Sequence, residues 1–161
     1  LIHVFNHALM KGALFMACGA LVYRIGSSRF ENLYGLGRQM PWTFSAIFIA
    51  GLSLIGIPGT AGFISKWYFV LAALEQQSWS VVVVTLLGSL LAVVYVWKII
   101  EVMFLHPTSD TAPPVKEAPL LLLVPMWVLV VANIYFGINT ELTVNVADTA
   151  ASLLGVAAYH E

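Results

Sequence analysis

The stretch VVVVTLLGSLLAVVYVW, residues 81–97, decides the fold class of this chain. It carries no charge and does not alternate between apolar and polar residues, so it lacks the pattern of a strand in a membrane barrel. A helix satisfies every backbone hydrogen-bonding group within its own segment, as lipid demands. We therefore predict an all-α, polytopic bundle of transmembrane helices.

The composition places the whole chain in the membrane class. Of its 161 residues, 60% are hydrophobic and 9% are charged, and the mean hydropathy is +0.91. A soluble domain carries about 25% charged residues, so this chain lacks the charge to cover a surface that faces water. The net charge of −1 gives no reason to expect nucleic acid as a partner.

Charges and clusters of glycine and proline divide the chain into about five predicted spans. The fifth has 22 uncharged residues and would extend about 33 Å, enough to cross a bilayer. The remainder, 141–161, mixes apolar residues with acidic ones and is predicted to be an interfacial helix or a frayed tail. Because the apolar pattern begins at once at Leu1, we expect the chain to be a fragment of a longer protein. The predicted spans are 1–24, 41–57, 60–77, 79–105 and 118–139.

Three ionisable residues form one stripe on the first predicted helix. His3, His7 and Lys11 are spaced four apart, so neighbouring groups lie about 6 Å apart along the axis. Ionisable groups at membrane depth cost about 2.5–3.5 kcal/mol each on insertion scales. We expect this stripe to face a polar protein interior, where histidine can exchange protons near physiological pH.

Two alternatives apply to this stripe. His3 and Lys11 could lie near the helix ends and extend their polar atoms to the interface. His3 and His7 could hold a metal ion, but no carboxylate or thiol joins them nearby and the adjacent lysine would repel a cation. We therefore favour proton exchange and expect no metal.

A second deep lysine, Lys66, follows a dense run of helix breakers. Helices interrupted at membrane depth are tolerated where they are buried in protein or line a wet cavity. A lysine just after such a break has free carbonyls and helix-end dipoles within reach; the alternative is a lysine at the membrane boundary. The predicted break residues are Gly56, Pro58, Gly59 and Gly62.

The other polar residues receive simpler interpretations. Ser53 and Ser89 are expected to be small residues of helix packing. Lys98 and Glu101, three apart, are expected to form an ion pair at the interface. The sequence contains no phosphate-binding glycine loop, nucleophile–base arrangement or cofactor motif, so we expect no cofactor and no redox chemistry in this chain.

Two motifs carry a family resemblance that covers residues 1 to about 104. HVFNHALMKGALFMACG (3–19), followed by MPWTFSAIFIAGLSLIGIPGTAGFISKWYF (40–69), resembles the antiporter-like, proton-translocating subunits. These subunits are shared by NADH:quinone oxidoreductase (complex I) and the multisubunit Mrp-type cation/proton antiporters. The sequence GFISK (62–66) is the most specific part of the match.

The resemblance implies a function and partners. It implies that His3, His7, Lys11 and Lys66 line a proton path, with Lys66 at a break in a discontinuous helix. Residues 59–75 look more like the D-type antiporter subunit, so a cation/proton antiporter is the first expectation. A proton-pumping complex I subunit is the alternative, and a structural membrane scaffold is the third reading. The implied partners are lipid, other membrane subunits, protons and a monovalent cation, in a bacterial inner membrane.

Overall fold

The computed structural model of the protein describes residues 2–106 and 114–153. Every regular element within these ranges is a helix, so the predicted all-α class is confirmed. The seven α-helices are α1 (Ile2–Ile25), α2 (Leu36–Gln39), α3 (Pro41–Ile55), α4 (Ala61–Glu75), α5 (Trp79–Ile100), α6 (Leu120–Ile138) and α7 (Glu141–Leu153). A short 3-10 helix, Phe30–Leu33, precedes α2, and α5 continues into a π-helical turn, Glu101–Leu105.

Three helices in the described part of the chain are long and apolar enough to cross a membrane. They are Ile2–Ile25, Trp79–Leu105 and Leu120–Ile138. They lie where the sequence predicts the first, fourth and fifth spans. Most large side chains on the outer face of α5 are exposed and apolar, as expected for a surface that contacts lipid.

The second and third predicted spans correspond to two short helices. α3 and α4 have 15 residues each, which is about 22 Å at the helical rise and less than the about 30 Å of a hydrocarbon core. Gly51 of α3 packs against Val96 of α5, whereas Lys66 of α4 contacts Ser89, nearer the start of α5. α3 and α4 therefore follow one another along α5, which runs antiparallel to both.

The interruption between these helices comprises residues 56–60. Gly56 and Gly59 have φ angles of +94° and +89°, in the left-handed region that favours glycine. Pro58, between them, has no N–H to donate to a helix. The helical backbone therefore stops where the sequence predicts a break at these three residues.

Gly62 is predicted to be a break residue, but in the structure it lies within a helix. The helix resumes at Ala61, so Gly62 lies in the first turn of α4 and Lys66 in the second. A Cβ atom at position 62 would overlap the backbone carbonyl oxygen of Ser53. Glycine is required there because α3 and α4 approach closely, and not because its own backbone leaves the helix.

The buried core lies where α1, α3 and α6 meet. Small side chains dominate it and allow the helices to approach closely, as in other membrane bundles. α5 packs on α3 and α4, and α7 contacts the start of α1. The predicted tail is helical as far as Leu153, and its last eight residues lie outside the described ranges. The fully buried residues of this core include Ala13, Ala17, Ala20, Ala46, Ala50, Met126 and Val130.

Candidate functional site

The ammonium group of Lys66 lies at the end of α3, held by three oxygen atoms. Its Nζ donates hydrogen bonds to the backbone oxygens of Leu54 (2.7 Å) and Ile55 (2.9 Å). A third hydrogen bond, of 2.7 Å, goes to Ser89 Oγ on α5. The last carbonyls of a helix have no intrahelical donors and carry the negative end of the helix dipole. The interruption thus creates a site for a cation inside the bundle.

Ser89 was missed as a site residue by sequence reasoning. The sequence predicts a small residue of helix packing, but the structure places its hydroxyl on the ammonium of Lys66. Thr85 lies one turn earlier on α5, and both residues line the same cavity. The signal that would have revealed them is a pair of hydroxyls four apart in an otherwise apolar run.

One cavity of about 320 Å³ brings the predicted residues together. α1 contributes the predicted stripe to its wall, α4 contributes Lys66, and α5 contributes hydroxyl groups. Lys11 and Lys66, one from each predicted motif and 55 positions apart in sequence, therefore line the same space. Polar residues lining the cavity are His3, His7, Lys11, Lys66, Thr85, Ser89 and Tyr95.

The imidazole of His3 has a defined hydrogen-bonding partner. Its Nδ1 lies 3.2 Å from Ser65 Oγ, and Ser65 Oγ donates its own hydrogen to the Gly62 carbonyl at 3.1 Å. Because the serine has one hydrogen to donate, we assign the proton of the neutral imidazole to Nδ1 of His3. Nε2 then carries the lone pair and is the nitrogen that accepts a proton. The ring of His7 lies 5.5 Å away, centroid to centroid.

Lys11 lies at the junction of two cavities. It is half-buried and lines both the cavity just described and a second one of about 200 Å³. Leu54 and Tyr95 also line both cavities. The second cavity is mostly apolar and extends along α5 as far as Ile100. Lys11 therefore lies between a cavity that contains several ionisable and hydroxyl groups and one that is more apolar.

A second group of polar residues, fully buried, holds the two sides of the interruption together. Asn6 Nδ2 on α1 donates to the Ala61 carbonyl at 2.9 Å. Ser53 Oγ on α3 donates to Asn133 Oδ1 at 2.8 Å and accepts from the Gly62 N–H at 3.1 Å. The sequence predicts Ser53 as a packing residue, but its hydroxyl joins the end of α3 to the start of α4. It does so because the first N–H groups of a helix need acceptors.

The remaining charged residues behave more simply. Lys98 and Glu101 form the predicted ion pair, at 3.1 Å, with Lys98 exposed. Among residues 2–106 and 114–153, no group of three or more His, Cys, Asp or Glu side chains is arranged to hold a metal ion. The cavity at Lys66 is the place in the described structure where two histidines and two lysines converge between α1, α4 and α5, with His3 exposed and the other three half-buried.

Comparison with known proteins agrees with the family resemblance of the two motifs. Residues 1–92, more than half of the chain, match the family described as NADH:quinone oxidoreductase/Mrp antiporter, transmembrane. The chain is 37% identical over 163 residues to NADH-quinone oxidoreductase subunit N of Desulforudis audaxviator strain MP104C, covering 93% of this chain and 32% of that protein.

Two solved structures share the fold. One is the Mrp complex from Dietzia sp. DQ12-45-1b, with a TM-score of 0.84, 25% identity, and coverage of 94% of this chain and 36% of that one. The other is the membrane-bound sulfane sulfur reductase, an archaeal respiratory membrane complex, with a TM-score of 0.78, 34% identity, and coverage of 84% and 23%. The chain spans about a third or less of the length of these relatives. It is an integral membrane protein that belongs to the NADH:quinone oxidoreductase/Mrp antiporter transmembrane family.

Proposed function

We propose that this chain is part of a proton-translocating membrane subunit. The observation that carries the proposal is the position of Lys66, whose ammonium is held by the terminal carbonyls of α3 and lines one cavity with His3, His7 and Lys11. An ionisable side chain held among membrane helices is by default a candidate functional group, because its insertion is costly.

The proposed mechanism is proton transfer through water between these four residues. Lys66 releases a proton to water in the cavity, and Nε2 of His3 or a nitrogen of His7 accepts it. Lys11 then receives the proton at the junction with the second cavity. Because positive charges that share a cavity repel one another, occupation of one site favours release from its neighbour. Transfer therefore needs no cofactor and no covalent step in this chain.

We propose that α3 and α4 together make one interrupted membrane crossing. Neither helix alone matches the hydrocarbon thickness, and their contacts with Val96 and Ser89 place them in sequence along α5. On this topology the described helices cross the membrane four times, through α1, α3–α4, α5 and α6, where the sequence predicts about five spans. The interruption then lies near the middle of the bilayer.

The first host we propose is a multisubunit cation/proton antiporter in a bacterial inner membrane, with lipid and other membrane subunits as partners. The similarity to the Mrp complex chain over 94% of this chain supports it. The second host is a complex driven by NADH oxidation, and the 37% identity to a NADH-quinone oxidoreductase subunit supports it. In either host, the proposed proton path consists of the same four residues. A structural scaffold, in which Lys66 only fixes helix packing, is the alternative to both.

Alanine variants in the full assembly test the path. We expect Lys66→Ala and Lys11→Ala to reduce proton transport at least tenfold while the complex still assembles. Lys98→Ala is the matched control, since this exposed lysine lies outside the cavity, and it should transport normally. Full transport in both cavity variants would support the scaffold and overturn the proposal.

Membrane vesicles separate the two hosts. Proton exchange that depends on an added monovalent cation, measured with a pH-sensitive dye and without any reductant, would identify the antiporter. Proton transport that begins only when a reductant is supplied would identify the redox-driven complex. The Lys66→Ala variant should remove either signal.

A further inference from the structure

α3 carries opposite charges at its two ends, and both come from other parts of the chain. Its own sequence, PWTFSAIFIAGLSLI, is uncharged. At the C-terminal end the ammonium of Lys66 binds the last carbonyls. At the N-terminal end the carboxylate of Glu117 accepts hydrogen bonds from the Trp42 N–H (2.8 Å) and from Thr43 Oγ1 (2.6 Å). This arrangement matches the polarity of the helix dipole at both ends.

Glu117 is held in place by its own surroundings. Its Oε1 also accepts from the Ala118 N–H at 2.9 Å, and its backbone oxygen accepts from Arg24 Nε at 2.9 Å, at the end of α1. The segment before α6 is therefore tied to both α1 and α3. A carboxylate fixed in this way does not simply neutralise a neighbouring side chain. It is directed at the backbone N–H of Trp42 and the hydroxyl of Thr43, both in the first turn of α3.

We propose that Glu117 is a positioning residue for proton binding at Lys66, and that it acts through α3; this inference rests on the proposed function of Lys66. The carboxylate fixes the start of the helix and adds negative potential along its axis, so the terminal carbonyls hold the ammonium more strongly. The two charges are separated by about 22 Å, the length of 15 helical residues. At an effective dielectric constant of about 20, their attraction corresponds to about half a pH unit of proton affinity.

Other titratable or charged groups lie near both ends of α3, and the variants used in the test must leave them unchanged. Around Glu117 the described structure places Arg24 of α1 and the adjacent Lys116. Around Lys66, titratable groups come from α1 and α5, while the residues of α3 and α6 nearest to it are uncharged. Those titratable groups are His3, His7, Lys11 and Tyr95.

The experiment measures proton transport against pH in the full-length protein within its membrane complex. We expect Glu117→Gln to move the alkaline limb of the profile to lower pH by about half a unit. Pro41→Asp, at an exposed position in the first turn of α3, adds a negative charge and should move the limb to higher pH. Pro41→Asn is its uncharged control and should leave the limb unchanged.

The outcomes separate this inference from the function on which it rests. Opposite shifts of the alkaline limb in the Glu117→Gln and Pro41→Asp variants support the role of Glu117. If the Glu117→Gln variant does not assemble, the comparison of Pro41→Asp with Pro41→Asn decides. Unchanged profiles, together with lost transport in Lys66→Ala, overturn the role of Glu117 and leave the proton path standing. Full transport in Lys66→Ala and Lys11→Ala overturns the proton path itself.

Discussion

The hydroxyl of Ser89 accepts a 2.7 Å hydrogen bond from the ammonium of Lys66 and thereby joins α5 to the interruption between α3 and α4. Of the residues that α5 contributes to the cavity, Tyr95 is the one that can ionise, and the helix adds no charged side chain there. The Ser89 hydroxyl completes a set of three oxygen ligands around the charge. The strength of the cation site therefore depends on a residue more than 20 positions away in sequence.

We expect Ser89→Ala to reduce proton transport roughly tenfold, because a hydrogen bond to a charged group contributes about 1.5 kcal/mol. Transport is measured in proteoliposomes that contain the full complex. Ser80→Ala, which removes an exposed hydroxyl in the first turn of α5, is the control. Equal rates in the two variants would mean that Ser89 does not support the charge of Lys66.

We expect Gly62→Ala to destabilise the protein by about 1–3 kcal/mol, because the added methyl group overlaps the Ser53 carbonyl at the junction of α3 and α4. Thermal unfolding in detergent measures the effect. Gly88→Ala is the matched control, since a Cβ there meets no atom within 4 Å. Within α5 this alanine should be neutral or stabilising by up to about 1 kcal/mol. A melting temperature for Gly62→Ala at or above that of Gly88→Ala contradicts the close approach.

We expect Ser53→Ala to cost about 2 kcal/mol or more, because it leaves the Gly62 N–H and Asn133 Oδ1 buried without their hydrogen-bond partner. The same thermal assay applies. Ser45→Ala, a half-buried serine on the same helix, should change stability by less than about 0.5 kcal/mol. If the two serine variants melt together, the hydroxyl of Ser53 does not hold the interruption.

We expect Ser65→Ala to remove the preference of neutral His3 for the Nδ1–H tautomer. In the parent protein the Ser65 hydroxyl oxygen accepts a hydrogen bond from the Nδ1–H of His3, so the nitrogen chemical shifts of a labelled His3 should report Nδ1–H as the dominant neutral form. In the variant, both tautomers should be populated and transport should fall several-fold. A dominant Nε2–H form in the parent protein would contradict the assignment.

Much of the fold follows from local patterns in the chain. Long uncharged runs predict α1, α5 and α6 because lipid requires helices with satisfied backbones. Gly56 and Gly59 predict the interruption because they adopt left-handed φ angles at little cost. The spacing of His3, His7 and Lys11 predicts a common face, since residues four apart on a helix are neighbours. All of these inferences concern residues close together in sequence.

The partners of these groups depend on which helices meet. Nothing local to Ser53 or Asn133 distinguishes a packing residue from a hydrogen-bond partner, because the partner lies on another helix. The sequence predicts Gly62 to be a break residue, although glycine is required there by the backbone of α3. Likewise, Glu117 in a polar loop has no local feature that links it to the first turn of α3.

The sequence is thus sufficient for the helices, the interruption and the ionisable stripe, because backbone propensity and hydrophobic periodicity act over a few residues. Only the assembled bundle determines that Lys66 binds the end of α3, that His3 turns Nδ1 toward Ser65, and that one cavity contains both motifs. These features require contacts between helices, and contacts of this kind arise from packing over the whole chain.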